Sequence, residues 1–267
     1  MKKLVALLIG SVLLVSCQKE KINSPPKISN DWKVDIQNLV SSQLNFSNPK
    51  SIQVLDKKTA AIVGADMCGA WEGATSGMVW GPWGAVAGGI LCGAGASIGT
   101  WGLIPRIANP NPDTVISNNP YWFVGRAHNK ICRESIQNPN IFTEGQLNQV
   151  YQGIATDITE KSILDQQGEV KDWSNTISLD SYIEKINKIS QIASQDKYYV
   201  PESTSENLNY IFKKCLEGLD QCDTQEKAII YLNKFEQIII DAPLSESDKR
   251  IALIGLSVGQ YSTKLWY

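Results

Sequence analysis

The chain has 267 residues, 43% of them hydrophobic, with 25 basic against 27 acidic side chains and a formal charge of −2. That hydrophobic content excludes wholesale disorder, and a slightly acidic balance without a basic stripe excludes a nucleic-acid partner. A single histidine and the absence of any CxxC argue against a zinc site, and no cofactor is expected.

The N-terminus reads as an export signal. Lys2 and Lys3 precede an apolar run over 4–15, broken only by Gly10 and Ser11. The run is too short to span a bilayer and has the anatomy of a secretory signal peptide. It ends in Leu14-Val15-Ser16-Cys17, which resembles the bacterial lipobox. The resemblance implies a lipid on Cys17 and loss of residues 1–16, which leaves 251 residues and a formal charge of −4. An ordinary signal peptide with an incidental cysteine is the alternative. Gln18, where Asp would signal inner-membrane retention, implies an outer-membrane destination. Lys19-Glu20-Lys21 resembles the surface-export signal of Bacteroidetes lipoproteins.

Residues 17–31 are polar with a proline pair and read as a flexible tether. Over 32–58, Trp32, Val34, Ile36, Leu39 and Val40 suggest a short amphipathic helix starting at an Asn30/Asp31 cap.

Residues 69–102 then hold eleven of the twenty glycines, four of the eight tryptophans and one charge, Glu72. Gly69, Gly73, Gly77 and Gly81 recur every fourth residue, and the same register continues through Ala85, Gly89, Gly93 and Ser97. Such a small-xxx-small repeat clears one helix face so that another backbone can approach. Pro82 ends the first helix, so 59–105 is expected to be a helical hairpin with arms near 59–80 and 84–103. Each arm is about 30 Å long, matching the hydrocarbon core of a bilayer. Trp80 and Trp83 at the turn and Trp101 at the far end would then sit near the two interfaces. Asp66 and Glu72 make the first arm a poor lipid-exposed span. Two readings stay open: a latent membrane-inserting hairpin, or a tightly packed pair inside a soluble core.

A proline- and asparagine-rich linker follows over 106–119, and 120–267 reads as helical throughout. Helices are expected near 120–137, 144–164, 179–195, 204–218, 224–241 and 245–263. Asp223 with Glu226 suggests a capping box, and Ser245 with Asp248 a looser one. Ile229, Ile230, Leu232, Phe235, Ile238 and Ile239 suggest a buried stripe. The expected fold is all-α: a glycine-rich hairpin, then a bundle of about six helices, behind a lipoprotein signal peptide.

Five cysteines remain beside Cys17. Cys68 with Cys92, and Cys215 with Cys222, are possible disulfides, leaving Cys132 odd, although spacing does not settle connectivity. His128 precedes Cys132 by four residues, a conceivable nucleophile pair, but no orienting group or catalytic motif accompanies it. No GxSxG, HExxH or P-loop is present, and the chain is not expected to be an enzyme.

The run "GPWGAVAGGILCGAGASI" resembles the glycine-rich segment of small secreted bacteriocins. The whole layout is similar to a group of Bacteroidetes exported proteins. In these a glycine-rich segment precedes an "NPY…VG..HN" element, here Asn119-Pro120-Tyr121, Val124-Gly125 and His128-Asn129, and the chain closes on residues like Ser262 and Trp266. Some members resemble lipoprotein antibacterial toxins activated by proteolysis. The resemblance implies a target cell membrane or surface receptor, an arginine-specific protease and an immunity protein as partners. Of the four arginines, Arg106 lies where the hairpin meets the linker and is the first cleavage candidate, Arg126 the second. A non-toxic surface lipoprotein, an all-α binding module with the hairpin as core, is the competing expectation.

Overall fold

In a computed structural model the chain divides into two units, residues 1–30 and 31–267. The residues described are 31–43, 57–100, 118–137, 179–195 and 198–266, all in the second. The signal peptide, Cys17, the tether, Trp101, Arg106 and the helix expected near 144–164 lie outside them.

The described residues form eight α-helices and no strand: α1 (Trp32–Gln43), α2 (Lys57–Gly77), α3 (Pro82–Thr100), α4 (Trp122–Gln137), α5 (Leu179–Ala193), α6 (Glu206–Leu219), α7 (Gln225–Asp241) and α8 (Glu246–Leu265). The fold is all-α.

The hairpin forms at the expected place. A single 3-10 turn, Met78–Trp80, ends α2, and Gly81 reverses the chain at φ +85° and ψ −170°, a backbone conformation only glycine adopts readily. Pro82 opens α3, where its missing N–H is not needed. The two arms then run back to back. A methyl group placed on Gly69, Gly73 or Gly77 would overlap the carbonyl group of Cys92, Gly88 or Gly84, respectively.

This packing corrects the register. Gly69, Gly73 and Gly77 do form the smooth face of α2, but α3 answers with Gly84, Gly88, Cys92 and Ala96. The closest approach lies one residue before the expected set, which borders the same face: Gly89 also nears Ala70 O, and Gly93 nears Asp66 O and Ala70 Cβ. Gly81 itself has open space around its Cα and serves the turn, not the packing. Gly89 instead lies under Ile254 of α8, and Gly93 meets the His128 ring and Asp66 O.

The hairpin is the middle of the molecule. Nearly every α3 residue from Gly84 to Ser97 is buried. Gly95 and Gly99 lie under Ile186 and Ser190 of α5. Helix α8 runs antiparallel to α2, with Gly255 against the Trp71 indole and Gly259 against Met67. Trp71 also stacks on Phe212 of α6, ring centroids 4.5 Å apart, and donates from Nε1 to Ala252 O at 3.2 Å.

Helix α1 caps this body from outside. Trp32, Ile36, Leu39 and Val40 are buried, at helical spacing, while Val34 is exposed. Asp31 accepts from Val34 N at 3.3 Å as the expected cap, and Tyr210 of α6 donates to Lys33 O at 2.9 Å. Ser245 caps α8 by accepting from Asp248 N, as its spacing suggests. The cap of α7 is Thr224, accepting from Lys227 N, and not Asp223, which pairs on the surface with Lys227. The buried stripe of α7 is Ala228, Tyr231, Leu232, Phe235, Glu236 and Ile239; Ile230 is exposed.

Candidate functional site

Among the described residues, Asp66 is the centre of a buried polar cluster. It sits in the third turn of α2 among apolar neighbours and is wholly buried. A carboxylate there is tolerated only with partners, since desolvation of an unpaired charge costs several kcal/mol, on the order of 3–5 when a partner is removed.

Three other helices supply those partners. Ser262 Oγ of α8 donates to Asp66 Oδ2 at 2.5 Å, and Trp266 Nε1, at the C-terminal cap of α8, donates to the same oxygen at 3.0 Å. His128 Nε2 of α4 stands 3.6 Å from Oδ2. Ser97 Oγ of α3 lies 3.2 Å from that same Nε2. Asn129 Nδ2 donates to Tyr261 O at 2.9 Å, so its Oδ1, 2.9 Å from His128 Nδ1, accepts from the ring. The imidazole is therefore held at both nitrogens. Asp66 Oδ1 has no hydrogen-bond partner.

The conceivable pair of His128 and Cys132 lies together, Sγ to Nε2 at 3.6 Å. Burial, and secondarily the Asp66 charge, pushes the Cys132 thiol far above its ordinary range, and the sulfur has no access to solvent. Among the described residues no three His, Cys, Asp or Glu side chains converge as metal ligands.

A second charged contact lies further along the same arm. Glu72, 6% exposed, pairs with Lys185 of α5 and accepts from Tyr199 at 3.4 Å. Lys185 also donates to Ser76 Oγ at 2.6 Å. Burial, then the neighbouring Glu72 charge, pushes the Tyr199 phenol up to about 12. Both charges of the first arm are thus matched by groups on the surrounding helices.

Neither of the two possible disulfides is formed. Cys68, Cys92, Cys132, Cys215 and Cys222 are all free and buried. Gly69 and Gly73 face Cys92, and Cys68, one residue round the helix, is turned about 100° away from that line. Cys222 instead donates to Gly218 O at 3.4 Å. Arg126 is half-buried within α4 between buried residues, so its peptide bonds are not presented as the extended chain a protease takes. Ser97 joins the polar cluster, where it meets the His128 ring of α4 and the Asp66 carboxyl group of α2.

Sequence reasoning missed Asp66 as a centre, seeing only a charge in an apolar arm. One signal was present: the residues that carried the family resemblance are those that build this region. Asn119 donates to Leu253 O at 2.8 Å, Gly125 N to Ser257 Oγ at 3.0 Å and Asn129 to Tyr261 O, while His128, Ser262 and Trp266 surround Asp66. Helices α4 and α8 are thereby one hydrogen-bonded frame on which the hairpin rests.

The class of protein so defined is an all-α protein built around a buried glycine hairpin. No protein-family model, curated protein or solved structure matches the chain.

Proposed function

We propose that this chain is an exported, lipid-anchored antibacterial protein of the bacteriocin type, in which the α2–α3 hairpin is stored inside a helical shell and delivered to a target membrane. One observation carries the reading. The innermost element is also the one suited to a bilayer: Pro82–Thr100 is uncharged, 19 residues long and apolar enough to cross a membrane. At 1.5 Å per residue it spans about 28 Å. The same test is passed by the core helix of a soluble protein, and 83% of this helix's most apolar window is buried. The competing reading, a surface lipoprotein module with the hairpin as its core, therefore rests on the same helix.

In the proposed cycle Cys17 holds the protein at the outer membrane, and an arginine-specific protease cuts at Arg106. The cut separates the hairpin from the α4–α8 frame in sequence while leaving it packed in space. A receptor or the target bilayer then draws it out, and an immunity protein protects the producer.

The test uses mature protein, intact and nicked by an arginine-specific protease, added to dye-loaded liposomes and to related bacteria. The reading expects leakage and killing from the nicked form, and an Arg106→Ala protein that is neither processed nor active. Absence of leakage and killing from both forms would select the surface module. An Arg106→Ala protein that is processed and kills like wild type would remove the cleavage step.

A further inference from the structure

The α4–α8 frame is bonded to itself along its length, by Asn119 to Leu253 O, Gly125 N to Ser257 Oγ, Ser257 Oγ to Trp122 O and Asn129 to Tyr261 O. None of these bonds involves the hairpin. The frame therefore has reason to persist when the hairpin moves. Its buried polar grip on the hairpin includes Trp71 on Ala252 O toward the start of α8 and is densest at the other end, where Ser262 and Trp266 hold Asp66 and His128 holds Ser97.

That grip lies on the last turn of α8. Ser262 is its last-turn residue and Trp266 its cap, tied together by Trp266 N donating to Ser262 O at 3.1 Å. Helix ends open at far lower free energy than helix centres. The two donors to Asp66 thus sit on the terminal turn of the frame, buried at 0% and 4% exposure, and a withdrawal of that turn would remove both together. Once they leave, the Asp66 carboxyl group, with Oδ1 already unpartnered, loses two of its hydrogen bonds in an apolar core and keeps only its contacts with His128 and Ser97, so the hairpin's hold on the frame is weakened there.

We infer that Ser262 and Trp266 form an autoinhibitory latch on Asp66, whose release opens the α2–α3 hairpin while the remaining helices stay folded. What the opened hairpin then does rests on the membrane reading above; the opening itself does not.

The measurement is backbone amide hydrogen exchange on the mature protein and on the double variant Ser262→Ala, Trp266→Phe. The latch predicts at least tenfold faster exchange in α2 and α3, with exchange in α6 and α7 unchanged. Equal acceleration in every helix would reduce the cluster to an ordinary piece of core and overturn the inference, as would no change at all. If circular dichroism shows the double variant unfolded, Trp266→Phe alone serves, since it removes one donor and keeps an aromatic ring; the same hairpin-selective pattern is expected, smaller in size. Leakage of dye from phosphatidylglycerol-containing vesicles separates the two proposals. Selective exchange without leakage upholds the latch and removes the membrane reading. Leakage caused by nicked wild-type protein, with no selective exchange in the variant, does the reverse.

Discussion

At the scale of single residues, the glycines of the hairpin fall into two kinds that composition does not separate. A side chain on Gly73 would be driven into the carbonyl of Gly88, and backbone cannot step aside as a flexible side chain can. Gly93 is different, with its nearest neighbours 3.3 Å from an added methyl carbon. Gly73→Ala should therefore destabilise by about 1–3 kcal/mol from overpacking. Gly93→Ala should stay near neutral, because a small adjustment is offset by a helix-propensity gain of about 1 kcal/mol. Chemical denaturation of the two variants checks the order, and equal midpoints would contradict the close-packed register. Asp66 offers a parallel contrast. Asp66→Asn keeps an acceptor for Ser262 and Trp266 and removes an ionisable group whose pKa burial raises, whereas Asp66→Leu strands both donors, each unmade bond costing about 1–3 kcal/mol. The leucine variant is expected to be the less stable of the two, again by denaturation.

At the scale of elements, each helix is bounded by local chemistry whose loss has a limited reach. Ser245 accepts from Asp248 N and Thr224 from Lys227 N, so Ser245→Ala and Thr224→Ala should each cost about 1 kcal/mol. Gly81→Ala meets no steric obstacle but must hold φ +85°, a strain of about 1–3 kcal/mol. The turn is the likeness between the two hairpin readings, since a soluble core and a membrane hairpin both need it. The element that differs is α5. It reaches the hairpin through Lys185 on Glu72 and through Ile186 and Ser190 over Gly95 and Gly99. Lys185→Met leaves Glu72 buried and unpaired, whereas Glu72→Gln leaves an ammonium that is 35% exposed and can turn to water. The lysine variant should lose more stability, and thermal melts of the pair decide it.

At the scale of the whole molecule, the unusual feature is how many weak acids are folded away as neutral groups. Burial raises the thiols of Cys132 and Cys215 and the phenol of Tyr231 well above their ordinary values, and carries the Cys222 thiol up to about 12. In the unfolded chain these thiols ionise near 9 and the phenol near 10. Folded pKa values raised above unfolded ones mean that the unfolded state loses protons first as pH climbs. The stability they contribute is full below about pH 8 and is lost progressively above the unfolded thiol value. Unfolding midpoints should thus fall steadily between about pH 9 and 11, and a flat profile over that range would contradict the burial of these groups.

The helices from 120 onward were legible because their apolar residues recur at helical spacing and their starts carry side-chain caps, both local signals. Five of the six expected there fall within two residues of the observed ends, and the sixth lies outside the described residues. The hairpin and its Gly81-Pro82 turn were legible for the same reason. On α3 the tightest contacts fall on Gly84, Gly88, Cys92 and Ala96, one position before the expected set, which lies alongside them and also meets α2 through Gly89 and Gly93. The sequence by itself determined the all-α class, the hairpin and its small-residue character. Only the tertiary structure decided which helix each glycine faces and that the five cysteines stay apart. It also decided that Asp66, 196 residues before Ser262 and 200 before Trp266, is one of the points where hairpin and frame meet. Contacts at such separations depend on how the helices cross in space, and a local pattern of residues carries no record of that.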